Sequence, residues 1–411
     1  MTSFWKRLAC ILVGTAIYPT ILLVSVVIQY AQTVLPPGID HTLKLRVCQT
    51  WLISGILLGI VLEALGLSSL PEILRLWTNG IGPREDPSLV IRNQNFDGVP
   101  VRIYSSKTGP TVKGKAVLFC HGGAGVFGSF DSYERFLRYI AKVGNSTVFM
   151  VGYRLGPENP YPTQHVECLK AAVFLMKHAE DYGVDSSRII ISGDSFGGAV
   201  ATHVCQSLVD RSDLPKVHAQ VLIYPVLQGL DLCLPSYQQN RRSPLLWRKL
   251  VPFLACCYFN KPTSFVDGIL KNRHVPEATR LKYQKWVSAD HIPERFKARG
   301  YTPPEPSSSH FNPRLHEEVK VLLTEMCSPL LAEDAVVSKL PRTFLLTCEY
   351  DVLRDDGLLY MRRLTDNRVP VTWSHVEKGI HGMFLLYGYR ILSFPLINRV
   401  VHDLADFIRS L

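Results

Sequence analysis

The pattern of apolar and polar positions divides the chain into three regimes. Residues 8–30 are almost wholly apolar. At the helical rise this stretch reaches about 34 Å, enough to cross a bilayer. A second apolar run, 51–67, is shorter and carries Glu63. A carboxylate near the bilayer centre costs roughly 2.5–3.5 kcal/mol on insertion. The run therefore reads as a helix buried against the main domain or lying on the membrane. From about residue 88, short apolar runs alternate with amphipathic ones. Runs at 89–95 and 99–105 flank Asp97-Gly98 and predict a β-hairpin. Further strands are predicted over 116–120, 147–153, 188–192, 217–224, 344–348 and 371–376, and helices over 164–182, 197–210 and 392–411, with one more between the last two strands. Such alternation predicts an α/β fold with a mostly parallel sheet and helices on both faces.

Between 224 and 344 the alternation fails, and proline, basic and aromatic residues accumulate. A structureless loop of that length is abnormal in a compact domain. The stretch reads as a helical insertion capping one end of the sheet, with its most loop-like tip at 301–309. The expected organisation is a tail (1–7), a span (8–30), a helical membrane-proximal segment (31–87), two core halves (88–227 and 341–411) and a cap (228–340).

Charge sets the direction of the span. Lys6 and Arg7 precede it, and no basic residue follows until Lys44. The positive-inside rule puts the N-terminus in the cytosol and the remainder across the membrane. A cleaved signal peptide fits less well, because no small-x-small site follows the run. The net charge of +10 is spread along the chain, densest around 241–249 and 282–299. With no groove-reading motif this indicates no nucleic-acid partner; it fits a solvated face or contact with anionic headgroups. The ten cysteines form no C-x-x-C pair, so no metal site is indicated. Asn145-Ser146-Thr147 is a candidate glycosylation site just before a predicted strand.

Four elements carry chemistry. Gly193-Asp194-Ser195-Phe196-Gly197 lies between a predicted strand and a predicted helix, the context of a G-x-S-x-G nucleophile elbow. A glycine-rich strand–helix turn with an incidental serine would look the same, so this motif alone decides little. His121-Gly122-Gly123-Ala124 follows a strand and offers close backbone N–H groups to an oxyanion. Gly122, Gly123 and Phe196 are the expected donors, and His121 is expected to shape the loop rather than act as a base. Asp351 follows a strand, with Asp355 and Asp356 as competitors for the role of acid. His381 lies between glycines after the last strand. The order Ser195, Asp351, His381 is that of an α/β-hydrolase triad.

Two glycine patterns compete with this picture. Gly123 to Gly128 matches G-x-G-x-x-G, but the next strand ends Gly152-Tyr153-Arg154, without the acidic residue a dinucleotide ribose needs. Residues 109–115 imitate a P-loop, but Ala116 stands where a magnesium-binding hydroxyl belongs. No nucleotide partner is expected.

Together these residues resemble the hormone-sensitive-lipase-like branch of α/β-hydrolases, and within it the arylacetamide deacetylase family. Besides the motifs above, the resemblance runs through Tyr153-Arg154-Leu155-Gly156-Pro157, Val184-Asp185-Ser186-Ser187-Arg188, Leu234-Pro235-Ser236-Tyr237-Gln238 and Asp351-Val352-Leu353-Arg354-Asp355-Asp356. It implies an α/β-hydrolase fold and a type II endoplasmic-reticulum membrane protein with a lumenal catalytic domain. It further implies cofactor-free hydrolysis of carboxylic esters or acetamides of lipophilic molecules by Ser195, Asp351 and His381. The chain departs from the family at Ala124, where a glycine is usual, and at Phe196, where alanine is common. It also lacks a cysteine that many relatives carry after the glycine run. That puts a disulfide to the position of Cys348 in question, with Cys120 as a substitute partner. The rival reading is a non-catalytic binder of a lipophilic ligand using the same pocket; retention of His381 argues against it.

Overall fold

The computed structural model describes residues 3–83, 85–107, 114–303, 311–389 and 391–411. The first two residues of the tail, most of the tip expected at 301–309, and most of the P-loop-like stretch lie outside the described residues. Three helices precede the sheet: α1 (Ser3–Gln32), α2 (Thr42–Ala64) and α3 (Leu70–Thr78). The second apolar run is thus the later part of a longer helix. α1 and α2 lie antiparallel, with Tyr18 Oη 3.4 Å from Ser54 Oγ and Arg46 donating to Gln29 Oε1 at 2.9 Å. α2 is half buried, with Leu45 inside the core and Gln49 accepting the Leu245 N–H. Glu63 accepts the Leu70 N–H at the α2–α3 corner, which gives the awkward carboxylate a partner. A capping box between Ser69 and Glu72 starts α3.

Among the described residues the apolar runs become eight strands: β1 (Leu89–Phe96), β2 (Val99–Ser106), β3 (Gly114–Cys120), β4 (Ser146–Val151), β5 (Val184–Asp194), β6 (Ala219–Ile223), β7 (Arg342–Tyr350) and β8 (Val371–Ile380). Their order is β1-β2-β4-β3-β5-β6-β7-β8. Only β2 runs against its neighbours. β3 to β6 are buried almost throughout, as parallel strands covered on both faces must be. α4 (Phe130–Val143) lies on one face; α5 (Thr163–Lys177) and α6 (Phe196–Leu208) lie on the other. The helix predicted to run to 182 stops at Lys177 and continues as a 3-10 turn, Ala179–Tyr182. Among the described residues between β6 and β7 lie six short α-helices, with 3-10 turns between them: α7 (Pro235–Gln239), α8 (Leu250–Tyr258), α9 (Val266–Leu270), α10 (Glu277–Tyr283), α11 (Pro313–Val319) and α12 (Asp334–Val337). α13 (Arg354–Asp366) and α14 (Pro395–Ser410) complete the two faces; Pro395 starts α14 three residues later than the periodicity predicts.

Candidate active site

β5 delivers the chain to the elbow, and the elbow is strained. Ser195 has φ 54° and ψ −121°, and α6 begins at the next residue. Such a conformation in a non-glycine residue persists only where its surroundings fix it. Here the Ser195 N–H donates to Ile223 O at 2.9 Å, and Ser195 O accepts from Gly198 N at 3.0 Å and Val226 N at 3.2 Å. The flanking glycines are required by space. A Cβ on Gly197 would strike the carbonyl oxygens of Cys120 and His121, and one on Gly193 the carbonyl of Gly197. Backbone atoms cannot move aside, so β3 and the elbow touch only through glycine.

Three predicted residues from distant parts of the chain meet at this point. His381, immediately after β8, places Nε2 2.9 Å from Ser195 Oγ and Nδ1 2.7 Å from Asp351 Oδ2. A carboxylate only accepts, so Nδ1 carries the proton and Nε2 presents its lone pair to the hydroxyl. Asp351 is fully buried, and its other oxygen accepts the Leu353 N–H at 2.8 Å. From α7 of the cap, the residue after its last turn, Asn240, donates to the Asp351 carbonyl at 2.8 Å. The competing acids are engaged elsewhere. Asp355 accepts from Ser236 N at 2.7 Å and Arg354 Nε at 2.9 Å. Asp356 accepts from Leu227 N and Gln228 Nε2, both at 3.0 Å, and burial pushes its pKa up to about 7. Both tie α13 to the segment leading into the cap.

The oxyanion loop departs from expectation at Gly122. Its N–H points at the Asp194 carboxylate, 2.7 Å away, with Tyr133 Oη at 3.0 Å. The cause is sheet order: β3 pairs with β5, so the first residues past β3 lie beside the end of β5. A buried carboxylate takes the nearest N–H available to it. Tyr133 Oη also donates to Asp194 Oδ2 at 3.0 Å. Burial nevertheless pushes the Asp194 pKa up to about 6, against these bonds and the pull of His381. The next N–H groups, those of Gly123 and Ala124, together with that of Phe196, have no intramolecular acceptor among the described residues. Gly123, Ala124 and Gly125 all have positive φ: 97°, 55° and 71°. His121 is buried and stacked on Tyr153 at 4.1 Å, with Nδ1 2.7 Å from Gly122 O. Burial pulls its pKa down to about 4, which suits a neutral strut.

Four residues at the site escaped the sequence reading. Asp194 occupied a variable place in the elbow motif, Tyr133 an ordinary helix, and Asn240 a cap segment without periodicity. Arg75 on α3 donates to Val126 O at 2.8 Å and Gly156 O at 2.6 Å, and so holds the far end of the oxyanion loop. No local signal marks any of them.

Ser195 and His381 open into a cavity of about 760 Å³ with mostly apolar walls. Its inner part is formed by the oxyanion loop, α6 and α8; its mouth includes Val47, Trp51, Leu76 and Ile81, all more than half exposed. The Phe196 ring packs against Tyr258 at 5.2 Å and His165 at 5.7 Å. All ten cysteines are unpaired, Cys120 and Cys348 included. Asn145 is exposed at the entry to β4, with φ 47°.

The sheet, the elbow and the order of the three hydrogen-bonded residues define an α/β-hydrolase. A family model described as "alpha/beta hydrolase fold" matches residues 117–270 and 297–385. Solved structures agree in fold. Carboxyl esterase 2 from Tuber melanosporum superposes with a TM-score of 0.60 at 21% identity, covering 80% of this chain and 89% of the esterase. A fungal esterase from Rhizomucor miehei gives 0.61 at 24%, covering 83% and 90%. The chain belongs, more narrowly, to the arylacetamide deacetylase family. It is 40% identical to Homo sapiens arylacetamide deacetylase-like 4 over 93% of each chain. It is 35% identical to Bos taurus arylacetamide deacetylase over 88% of this chain and 92% of the relative.

Proposed function

We propose that the chain is a membrane-anchored serine hydrolase that cleaves carboxylic esters or acetamides of lipophilic molecules. The observation that carries this reading is the continuous hydrogen-bonded line Asp351–His381–Ser195 at the floor of an apolar cavity. His381 Nε2 accepts the Ser195 proton as Oγ attacks the carbonyl carbon. Asp351 holds the imidazole in register and stabilises its charge. The oxyanion is received by the N–H groups of Gly123, Ala124 and Phe196 at the positive end of α6. His381 then passes its proton to the departing alcohol or amine, and water repeats the sequence on the acyl-enzyme. The chemistry uses side chains and backbone alone.

The membrane reading is supported by α1, whose most apolar window is 11% buried, and by the exposed apolar mouth of the cavity. α2 is read as part of the domain, because half of it is covered. That leaves α1 as the single crossing. With Lys6 and Arg7 on the cytosolic side, the catalytic domain is lumenal, in the endoplasmic reticulum, with Asn145 accessible to glycosylation. The test is labelling of purified protein by a fluorophosphonate, with hydrolysis of a panel of acyl esters. Wild type is expected to react with both. Ser195→Ala is expected to lose both while melting normally, and His381→Ala to be nearly as severe, because triad members act as a unit. Full turnover by Ser195→Ala would refute the mechanism.

A further inference from the structure

Past Phe196 the cavity wall is made by His165, Tyr258 and Cys327, with Gln228 nearby. The other polar groups there are engaged. Tyr258 Oη donates to Gln164 Oε1 at 2.6 Å. The Gln228 amide donates to Asp231 O and Asp356, and its oxygen accepts from Leu230 and Asp231. His165 is different. It is 1% exposed, and among the described residues neither ring nitrogen has a partner in full hydrogen-bond geometry, the Met326 carbonyl facing the ring without meeting it. Its ring is locked edge-on by three others: Tyr161 at 5.6 Å, Phe196 at 5.7 Å and His203 at 5.5 Å. Burial and the neighbouring His203 drag its pKa down to about 3, offset only in part by the Met326 carbonyl. The imidazole is therefore neutral, with one N–H that the Met326 carbonyl faces but does not satisfy in full geometry and one lone pair that nothing fills.

A buried polar group without a partner is costly, and such groups in native structures call for an explanation. We propose that His165 is a polar anchor at the inner end of the substrate cavity, selecting lipophilic esters or amides that carry a neutral oxygen function, a hydroxyl or a ketone, on the arm that passes Phe196. The inference rests on the hydrolase reading of the same cavity. A plain hydrocarbon arm would seal the imidazole away from water and leave it unpaired. A hydroxyl or ketone oxygen reaching it restores one hydrogen bond. A carboxylate gains no counter-charge from a neutral ring and would forfeit its own hydration.

The test uses full-length protein in detergent micelles and two substrate series: phenyl esters of straight-chain acids, and acetates of straight-chain alcohols. Each hydrocarbon arm is paired with a twin bearing a ketone or hydroxyl near its end. Wild type is expected to favour the oxygenated twin in kcat/KM by about five- to tenfold at one arm length, the scale of one neutral hydrogen bond. His165→Leu should abolish that preference, raising the hydrocarbon ester and lowering the oxygenated one. His165→Gln, which can still donate and accept, should restore part of it. A wild type that prefers no oxygenated twin in either series overturns the proposal, as does a preference that survives His165→Leu. Fluorophosphonate labelling of the same preparations reports separately on Ser195. If no ester is turned over and no label is taken up, the hydrolase reading fails. Calorimetric binding of the twins to Ser195→Ala and to Ser195→Ala/His165→Leu then decides the anchor by itself: equal affinities in the first protein overturn it, and a preference lost in the second supports it.

Discussion

Arg75→Gln tests how the N-terminal helices reach the chemistry. The Arg75 guanidinium makes two bonds to loop carbonyls, Val126 O and Gly156 O, and a bidentate pair with Glu158 at 2.9 and 2.6 Å. Gly156 N in turn donates to Gly125 O at 2.8 Å, so both carbonyl bonds act on the loop that bears Gly123 and Ala124. A hydrogen bond from a charged donor is worth about 1.5–3 kcal/mol when shielded. The Arg75 side chain is 27% exposed, so water replaces part of the loss, and about 1 kcal/mol for each carbonyl bond is reasonable. The Glu158 side chain is 48% exposed, and the ion pair adds roughly 0.5 kcal/mol. Arg75→Gln should therefore loosen the loop by about 2 kcal/mol, and Glu158→Gln by much less. If that ordering is fully felt in the transition state, kcat falls by up to ~30-fold, with KM changing little. The assay is steady-state hydrolysis of a short-chain ester by wild type and both variants, with thermal melts as a control. A wild-type kcat for Arg75→Gln, or equal losses for the two variants, would refute the clamp and leave a surface ion pair.

Four further expectations follow, three from single residues of the site and one from the topology. Ala124 holds a left-handed φ that costs an L-residue roughly 1–2 kcal/mol, partly offset by the entropy glycine would lose; Ala124→Gly should raise the melting temperature by about 1–3 °C and kcat modestly, whereas a lower melting temperature would show the loop is not strained there. The Phe196 ring lines the cavity beside Ser195, where it would limit the length of an acyl arm; Phe196→Ala should broaden acceptance from acetyl towards octanoyl esters, and an unchanged chain-length profile would show that the ring sets no such limit. Asp194 has its pKa raised from 3.8 to about 6, so its contribution to stability is full below the lower value and lost as pH rises through the upper one; the change is about 3 kcal/mol. Relative to Asp194→Asn, wild type should lose stability between pH 4 and 7, and parallel melting curves over that range would remove the argument. In intact microsomes the catalytic domain should resist added protease, and endoglycosidase should shift wild type but not Asn145→Gln; digestion without detergent would favour a cytosolic domain.

Local sequence determined the elements and the chemical types. Period-two and uninterrupted apolar runs placed the strands to within a few residues, because parallel strands buried on both faces admit little else. The glycines around Ser195 and after His121 were legible because only glycine lets backbones approach that closely. Chain order picked Asp351 and His381 from many acids and histidines, since each follows directly from a strand end that fixes it. What sequence could not decide were contacts set by sheet order and by the packing of separate segments. β3 is two strands before β5 in the chain but beside it in the sheet, and that adjacency turns the Gly122 N–H to Asp194. Arg75 and Asn240 gain their places from helices docked across the sheet's end, and His165 from the packing of α5 on α6; a docked side chain leaves no periodic trace in its own segment. The extent of α2 was decided in the same way: an apolar run reads alike whether lipid or protein covers it, and only the packing of Leu45, Gln49 and Ile53 shows that protein covers one face.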